Sequence, residues 1–320
     1  MSPLGSYVEW QLAQASTPRS VLVELVRHAV GARIDRLDRI VEGYSNEVYR
    51  VRCVDNQDVV VRILRFDDVT TPARSAGEAR AIETARAVGV PVPEILLLET
   101  VQMDGSEFPV MVQRTVPGRP LGDVVDRLSM RQRHGVLVEI GGLIARMNAV
   151  AVHDGPDWPT VMGTELARRY EDGDKILAAG FTVPEFDRML DLVDGYVRAF
   201  PCEQWVLCHG DLSPKHIFVT GDGTDGATVR VSGIIDFGDW LPGAPVHDLA
   251  VLRVRDPRLD LPPLLAGYAA PTDETYRRRL DLHTLIIALG SLAIGVTEGD
   301  RACIERIGHL IRTLITERLS

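Results

Sequence analysis

The chain has 320 residues, an apolar fraction of 45% and a formal net charge of −10. That is enough apolar material for a proper core and enough length for one large domain or two ordinary ones. The acidic balance disfavours a nucleic-acid partner, which calls for a basic face, and fits a cationic small molecule.

The opening "MSPLGSYVEW" lacks the basic start and apolar core of a signal peptide. Pro18 to Gly31 reads as an amphipathic helix, with Val21, Leu25 and Val26 at helical spacing and a glycine at its end. "DRIVEGYSNEVYRVRC" reads as strand, short turn and strand, and the β-branched "DVVVRILR" as a third strand. Ala73 to Val88 reads as a helix with Ala76, Ala79, Ile82 and Ala85 on one face. "GVPVPEILLLE" breaks it and starts a fourth strand, and "FPVMVQRTVPG" is a fifth that ends in a Pro-Gly turn.

Beyond that turn the pattern becomes helical. Met130 to Val150 reads as one long helix loosened by Gly141-Gly142, and residues 161–200 as further helices. The run Leu285 to Val296 is too short to cross a bilayer and reads as a buried helix. The four cysteines form no CxxC pair and suggest reduced thiols in a cytoplasm. The expected layout is α+β: a sheet-rich N-terminal lobe (1–116), a hinge near 113–118, and a helical C-terminal lobe (117–320).

Two polar islands interrupt strand-like runs in the second half. "VLCHGDLSPKHIFV" holds His209, Asp211, Lys215 and His216; twenty-five residues past Asp211, "SGIIDFGDW" places Asp236 in a tight turn after a strand. A carboxylate with a neighbouring oxygen or imidazole ligand can hold Mg²⁺ against phosphate oxygens. A second carboxylate that orients an attacking hydroxyl completes a phosphoryl-transfer site, whose work is mostly positioning and charge neutralisation.

The motifs "HGDLSPKH" (209–216), "GIIDFGDW" (233–240) and "HDLA" (247–250) resemble those of the aminoglycoside phosphotransferase family, antibiotic kinases with a protein-kinase-like bilobal fold. "EGYSNEVYRV" resembles the family's nucleotide loop, "VVVRILR" its third strand, and "GEARAIETARAVGVPVPEIL" its helix and following strand. The resemblance spans roughly residues 35–260. It implies a small antiparallel-sheet N-lobe with one helix and a larger helical C-lobe.

Carried over by position, the resemblance makes Asp211 the catalytic aspartate and Asp236 the main Mg²⁺ ligand. His216 stands where most members have asparagine as a second metal-side ligand, as in some 2″-aminoglycoside and macrolide kinases. Arg62 takes the place of the phosphate-binding lysine, with Glu78 as its helix partner. Gly43, Ser45 and Asn46 belong to the loop over the phosphates, and the backbone of Arg114 and Val116 to the hinge that meets the base. His209 is implied to be a framework residue, and Asp248 a brace for the catalytic loop.

The implied reaction is Mg²⁺-dependent phosphorylation of an antibiotic hydroxyl, most directly on an aminoglycoside, with ATP or GTP as donor. Macrolide kinases and metabolic kinases of the choline, homoserine or thiosugar type are the alternatives. Only twelve residues separate Asp236 from Asp248, which leaves no room for the activation loop of a protein kinase. Both carboxylates are present, which argues against a dead nucleotide-binding module. A modest pointer to a cationic acceptor is segment 154–200, with ten acidic residues against five basic ones. The expected partners are a small-molecule substrate, with no nucleic acid and no membrane, and the expected particle is a cytoplasmic monomer or weak dimer.

Overall fold

The computed structural model describes residues 16–41, 46–64, 72–103, 105–153, 155, 157–221, 228–256 and 259–319. The chain divides into two compact units: residues 1–87, 91–118 and 232–238 in the first, and 88–90, 119–231 and 239–320 in the second.

In the first unit, α1 (Arg19–Val30) ends on Gly31 in the left-handed conformation. Strands β1 (Ile34–Ile40), β2 (Asn46–Cys53), β3 (Asp58–Leu64), β4 (Ile95–Met103) and β5 (Ser106–Arg114) form one antiparallel sheet in the order β1-β2-β3-β5-β4, and α2 (Pro72–Ala87) lies between β3 and β4 in sequence. Alternation along the strands divides the residues between two faces. Tyr49, Val51, Val59, Val61 and Ile63 join Leu22, Leu25 and Val26 of α1 in a single apolar core. The helix read from residues 18–31 thus completes the sheet's core. Arg62 lies on the opposite face, directly across from Val48. Glu47, almost fully buried, accepts from the backbone and hydroxyl of Thr17, at 2.8 and 2.7 Å, and from Tyr49. This ties the chain before α1 to β2.

The second unit is mostly helical. Strand β6 (Arg119–Pro120) leads toward α3 (Met130–Asn148), α4 (Trp158–Glu171), α5 (Gly173–Ala178) and α6 (Val183–Ala199). Ser129 and Gln132 form a reciprocal capping box at the start of α3, and Thr182 and Glu185 do the same for α6. Strands β7 (Val206–Cys208) and β8 (Ile217–Thr220) flank the first polar island, and β9 (Arg230–Ile234) leads into the second. Strand β10 (Leu241–Gly243) pairs with β7. Helices α7 (His247–Arg255), α8 (Leu261–Tyr268), α9 (Glu274–Glu298) and α10 (Arg301–Thr313) follow.

Gly141-Gly142 does not loosen α3, which runs unbroken across both residues. A Cβ on Gly141 would lie 2.0 Å from the Leu264 carbonyl oxygen, and one on Gly267 would lie 1.9 Å from that of Val138. The two glycines bring α3 and α8 into backbone contact. α9 is long and apolar enough to cross a membrane, yet Leu285, Ala288, Leu289 and Leu292 are buried in it, as in a core helix.

Candidate active site

The first cluster of functional side chains lies within the first unit. Strand alternation turns Arg62 away from the α1 core, where it is only 6% exposed. Its Nη1 donates to Glu78 Oε1 on α2, and its Nη2 donates to Asp236 Oδ1 at 3.2 Å. Desolvation opposes the Arg62 charge, but the Glu78 and Asp236 carboxylates outweigh it and hold the guanidinium above its ordinary pKa. Asp236 has φ +67, a conformation costly for a non-glycine residue, and stands two residues past the end of β9. Its side chain is 45% exposed, so the carboxylate reaches Arg62 and solvent together. A Cβ on Gly238 would lie 3.6 Å from Asp236 Oδ1 and 3.9 Å from Glu78 Oε2, so the chain passes close over the cluster.

Asn46 begins β2 on the Arg62 face, and its Oδ1 is buried without a hydrogen-bond partner among the described residues. Gly43 and Ser45, expected in the same loop, lie outside the described residues. At the end of β5, the Arg114 N–H donates to Glu94 O at 2.8 Å and the Thr115 N–H to Asp58 O at 3.0 Å. Arg114 therefore has only its carbonyl to offer a base edge. The Val116 side chain fills the space above Gly233.

The second cluster is the loop between β7 and β8, in the second unit. Asp248, fully buried in the first turn of α7, accepts the His209 N–H at 2.9 Å and the Gly210 N–H at 3.0 Å. These bonds hold the loop at the two residues before Asp211. Gly210 has φ +88, and a Cβ there would lie 1.9 Å from Asp239 O, so no other residue fits the position. His209 Nδ1 accepts the Asp211 N–H at 3.3 Å, which makes His209 a framework residue carrying its proton on Nε2.

His216 Nδ1 lies 2.8 Å from the Asp211 carbonyl and 3.2 Å from Ser213 Oγ. A carbonyl only accepts, so Nδ1 carries the proton. The His209 and His216 rings are stacked, with centroids 5.8 Å apart. Asp211 Oδ1, closed off from solvent, is paired with Nη2 of Arg255, the last residue of α7. Lys215 is exposed.

Sequence reasoning missed Arg255 and a buried chain behind the loop. Tyr196 OH lies 2.9 Å from His283 Nδ1, and His283 Nε2 lies 3.1 Å from His247 Nδ1. The His247 ring in turn hydrogen-bonds the Gly210 backbone. The "HDLA" motif contained His247, but only the fold aligns His283 with it.

Fit to a divalent cation rests on donor chemistry. In the first unit the Asp236 carboxylate and the Asn46 oxygen, buried without a hydrogen-bond partner among the described residues, are hard donors. Among the described residues no three His, Cys, Asp or Glu side chains converge on one point. Mg²⁺ takes one or two protein groups and completes its shell with phosphate oxygens and water.

Residues 36–283 match the family model described as "Phosphotransferase enzyme family". No curated protein matches the chain in sequence. Among solved structures, the GDP and kanamycin complex of APH(2")-IIia is similar with a TM-score of 0.64 at 17% identity, covering 92% of this chain and 98% of that one. Macrolide 2'-phosphotransferase MphH from Brachybacterium faecium gives 0.56 at 21%, covering 91% and 98%. A putative fructosamine-3-kinase from Thermobifida fusca gives 0.57 at 20%, also covering 91% and 98%. At these identities the likeness is one of fold, and the fold is the α+β, protein-kinase-like one that the motifs implied.

Proposed function

Because this chain belongs to the phosphotransferase enzyme family, we propose that it moves the γ-phosphoryl group of ATP or GTP onto a hydroxyl of a small molecule, with Mg²⁺ as cofactor. The observation that carries this reading is the Arg62–Glu78–Asp236 cluster: a buried guanidinium held by one carboxylate beside a second, half-exposed one. Asp236 is held by Arg62 with 45% of its side chain exposed, which leaves its carboxylate within reach of a ligand.

Arg62 serves the nucleotide phosphates, and Glu78 fixes its fork. Asp236 and His216 are the protein groups for the metal, with Asn46 beside the phosphates. Bound Mg²⁺ neutralises charge on the phosphate oxygens. Asp211 accepts the proton of the acceptor hydroxyl as the new O–P bond forms and the bond from the γ-phosphorus to the bridging oxygen breaks. The products are a phosphate monoester, a nucleoside diphosphate and a proton passed on to solvent. The backbone of Arg114 and Val116 and the loop holding Gly43 and Ser45 are assigned to the base and phosphates. Dependence on a nucleoside triphosphate donor supports a cytoplasmic site for the reaction.

An antibiotic acceptor, and an aminoglycoside in particular, rests on the motif resemblance and on neighbours such as the kanamycin complex. The acidic segment 154–200 lends it little. Glu165 pairs with Arg168, Asp172 with Lys175 and Asp194 with Arg198, at 2.6 to 2.9 Å, while Asp157 and Glu185 cap helices. The test is consumption of ATP and GTP with Mg²⁺ across aminoglycosides, macrolides and hydroxylated metabolites, with the phosphate ester identified by ³¹P NMR. No ester from any acceptor, and no Mg²⁺-dependent nucleotide binding, would refute the reading.

A further inference from the structure

Resting on that reading, the geometry around Asp211 points to the acceptor's chemical class: Arg255 selects a hydroxyl compound that carries a carboxylate or similar oxyanion near the reacting hydroxyl. The guanidinium lies against the carboxylate that meets the acceptor, with Nη2 paired with Asp211 Oδ1. Arg255 is itself 46% exposed and Asp211 19%. The pair therefore sits at the surface of the second unit, where an acceptor can reach it.

The neighbouring guanidinium groups are already committed. Arg253 Nη1 is held by buried Asp281 at 2.5 Å, and Arg306 Nη1 donates to the Val254 carbonyl. Among the described residues Arg255 is thus the exposed guanidinium at this end of α7 that an incoming molecule meets. Oδ1 is closed off from solvent, so a hydroxyl approaches Asp211 at Oδ2, beside the guanidinium. The exposed side of Arg255 then meets whatever group the acceptor carries next to that hydroxyl. A polycation at this point would leave two positive groups side by side, whereas a carboxylate offers Arg255 a planar, two-oxygen partner. The hydroxyl then gives its proton to Asp211 while its oxygen takes the phosphoryl group, and the acceptor's anion stays on Arg255 throughout.

The experiment compares the wild-type chain with Arg255→Gln, Arg255→Lys and Asp211→Asn in a coupled assay for nucleoside diphosphate, using ATP and GTP with Mg²⁺. The probes are matched pairs, lactate, glycerate and gluconate each with its neutral amide, and kanamycin as polycation. A charged hydrogen bond of the usual strength gives the carboxylate member of at least one pair an advantage of about 10- to 100-fold in kcat/KM. Arg255→Gln should bring that ratio close to one, chiefly through KM, and Arg255→Lys should recover part of it. Equal rates for acid and amide, preferential use of kanamycin, no use of any carboxylate, or undiminished discrimination in Arg255→Gln would each overturn the assignment. Failure of the underlying reading looks different. In that case wild type forms no diphosphate with any probe or with water, or Asp211→Asn is as active as wild type.

Discussion

Arg62 Nη2 lies 3.2 Å from Asp236 Oδ1, although the two residues are 174 apart in sequence. The contact joins β3 to the turn after β9, and so brings together the cation proposed for the phosphates and the carboxylate proposed for the metal. Arg62→Ala should therefore raise the KM for nucleotide by about 10- to 100-fold, the range for lost charged hydrogen bonds. Arg62→Lys should recover only part, because an ammonium cannot span Glu78 and a phosphate with one planar fork. Steady-state kinetics with varied nucleotide test this, and an unchanged KM in Arg62→Ala would remove the residue from the site.

Asp236 combines positive φ with the carboxylate proposed for the metal, so stability and function should separate there. Asp236→Gly relieves a backbone conformation that costs on the order of 1 kcal/mol in a non-glycine residue. It should melt at or above the wild-type temperature after allowing for the lost contact with Arg62. The same variant should lose Mg²⁺-dependent nucleotide binding, measured by titration with and without Mg²⁺. Retained Mg²⁺ dependence would contradict the metal role.

Asp211→Asn keeps the loop's shape, since Asp248 holds His209 and Gly210 through their backbone. Turnover should fall by roughly 10²- to 10⁴-fold while nucleotide affinity stays within about twofold, the signature of a lost proton acceptor. A variant with more than about a tenth of the wild-type rate would not fit a general base of that strength.

Burial pushes His283 well below its ordinary pKa, with His247 and Arg279 adding to the effect, and it lowers His247 as well. In the unfolded chain both titrate near 6.5. Below that pH the unfolded state takes up protons that the folded state refuses, so stability present above about pH 6.5 is lost as the pH falls. The slope attributable to His283 alone reaches about 1.4 kcal/mol per pH unit. Melting temperature against pH should decline on the acid side, and less steeply in His283→Gln. Superimposable curves for the two proteins would show that His283 does not control the transition.

Gly141→Ala and Gly267→Ala should each cost about 1–3 kcal/mol, because a methyl group cannot enter a backbone contact of 2 Å without parting α3 from α8. By helix propensity alone each change would stabilise by up to about 1 kcal/mol. Denaturant unfolding decides between the two effects by sign.

The sequence alone determined what short-range physics controls. The α1 limits follow from a 3.6-residue apolar period and a terminal glycine, and the five strands of the first unit follow from β-branched alternation between turns. The "HGD" and "DFGD" islands were legible because polar residues in short breaks between buried strands have few structural uses. Tertiary structure alone decided which charges meet. Nothing local marks Arg255, one arginine among many, as the partner of Asp211, and nothing marks His283 as the partner of His247. The acids of segment 154–200 pointed to a cationic ligand by count, yet several of them neutralise arginines and a lysine on their own helices or cap those helices. The two glycines of α3 looked like weakness in a helix, and only the α8 backbone against them shows a contact. Periodicity and capping act over a few residues along the chain, whereas ion pairing and close packing depend on the path the chain takes between distant residues.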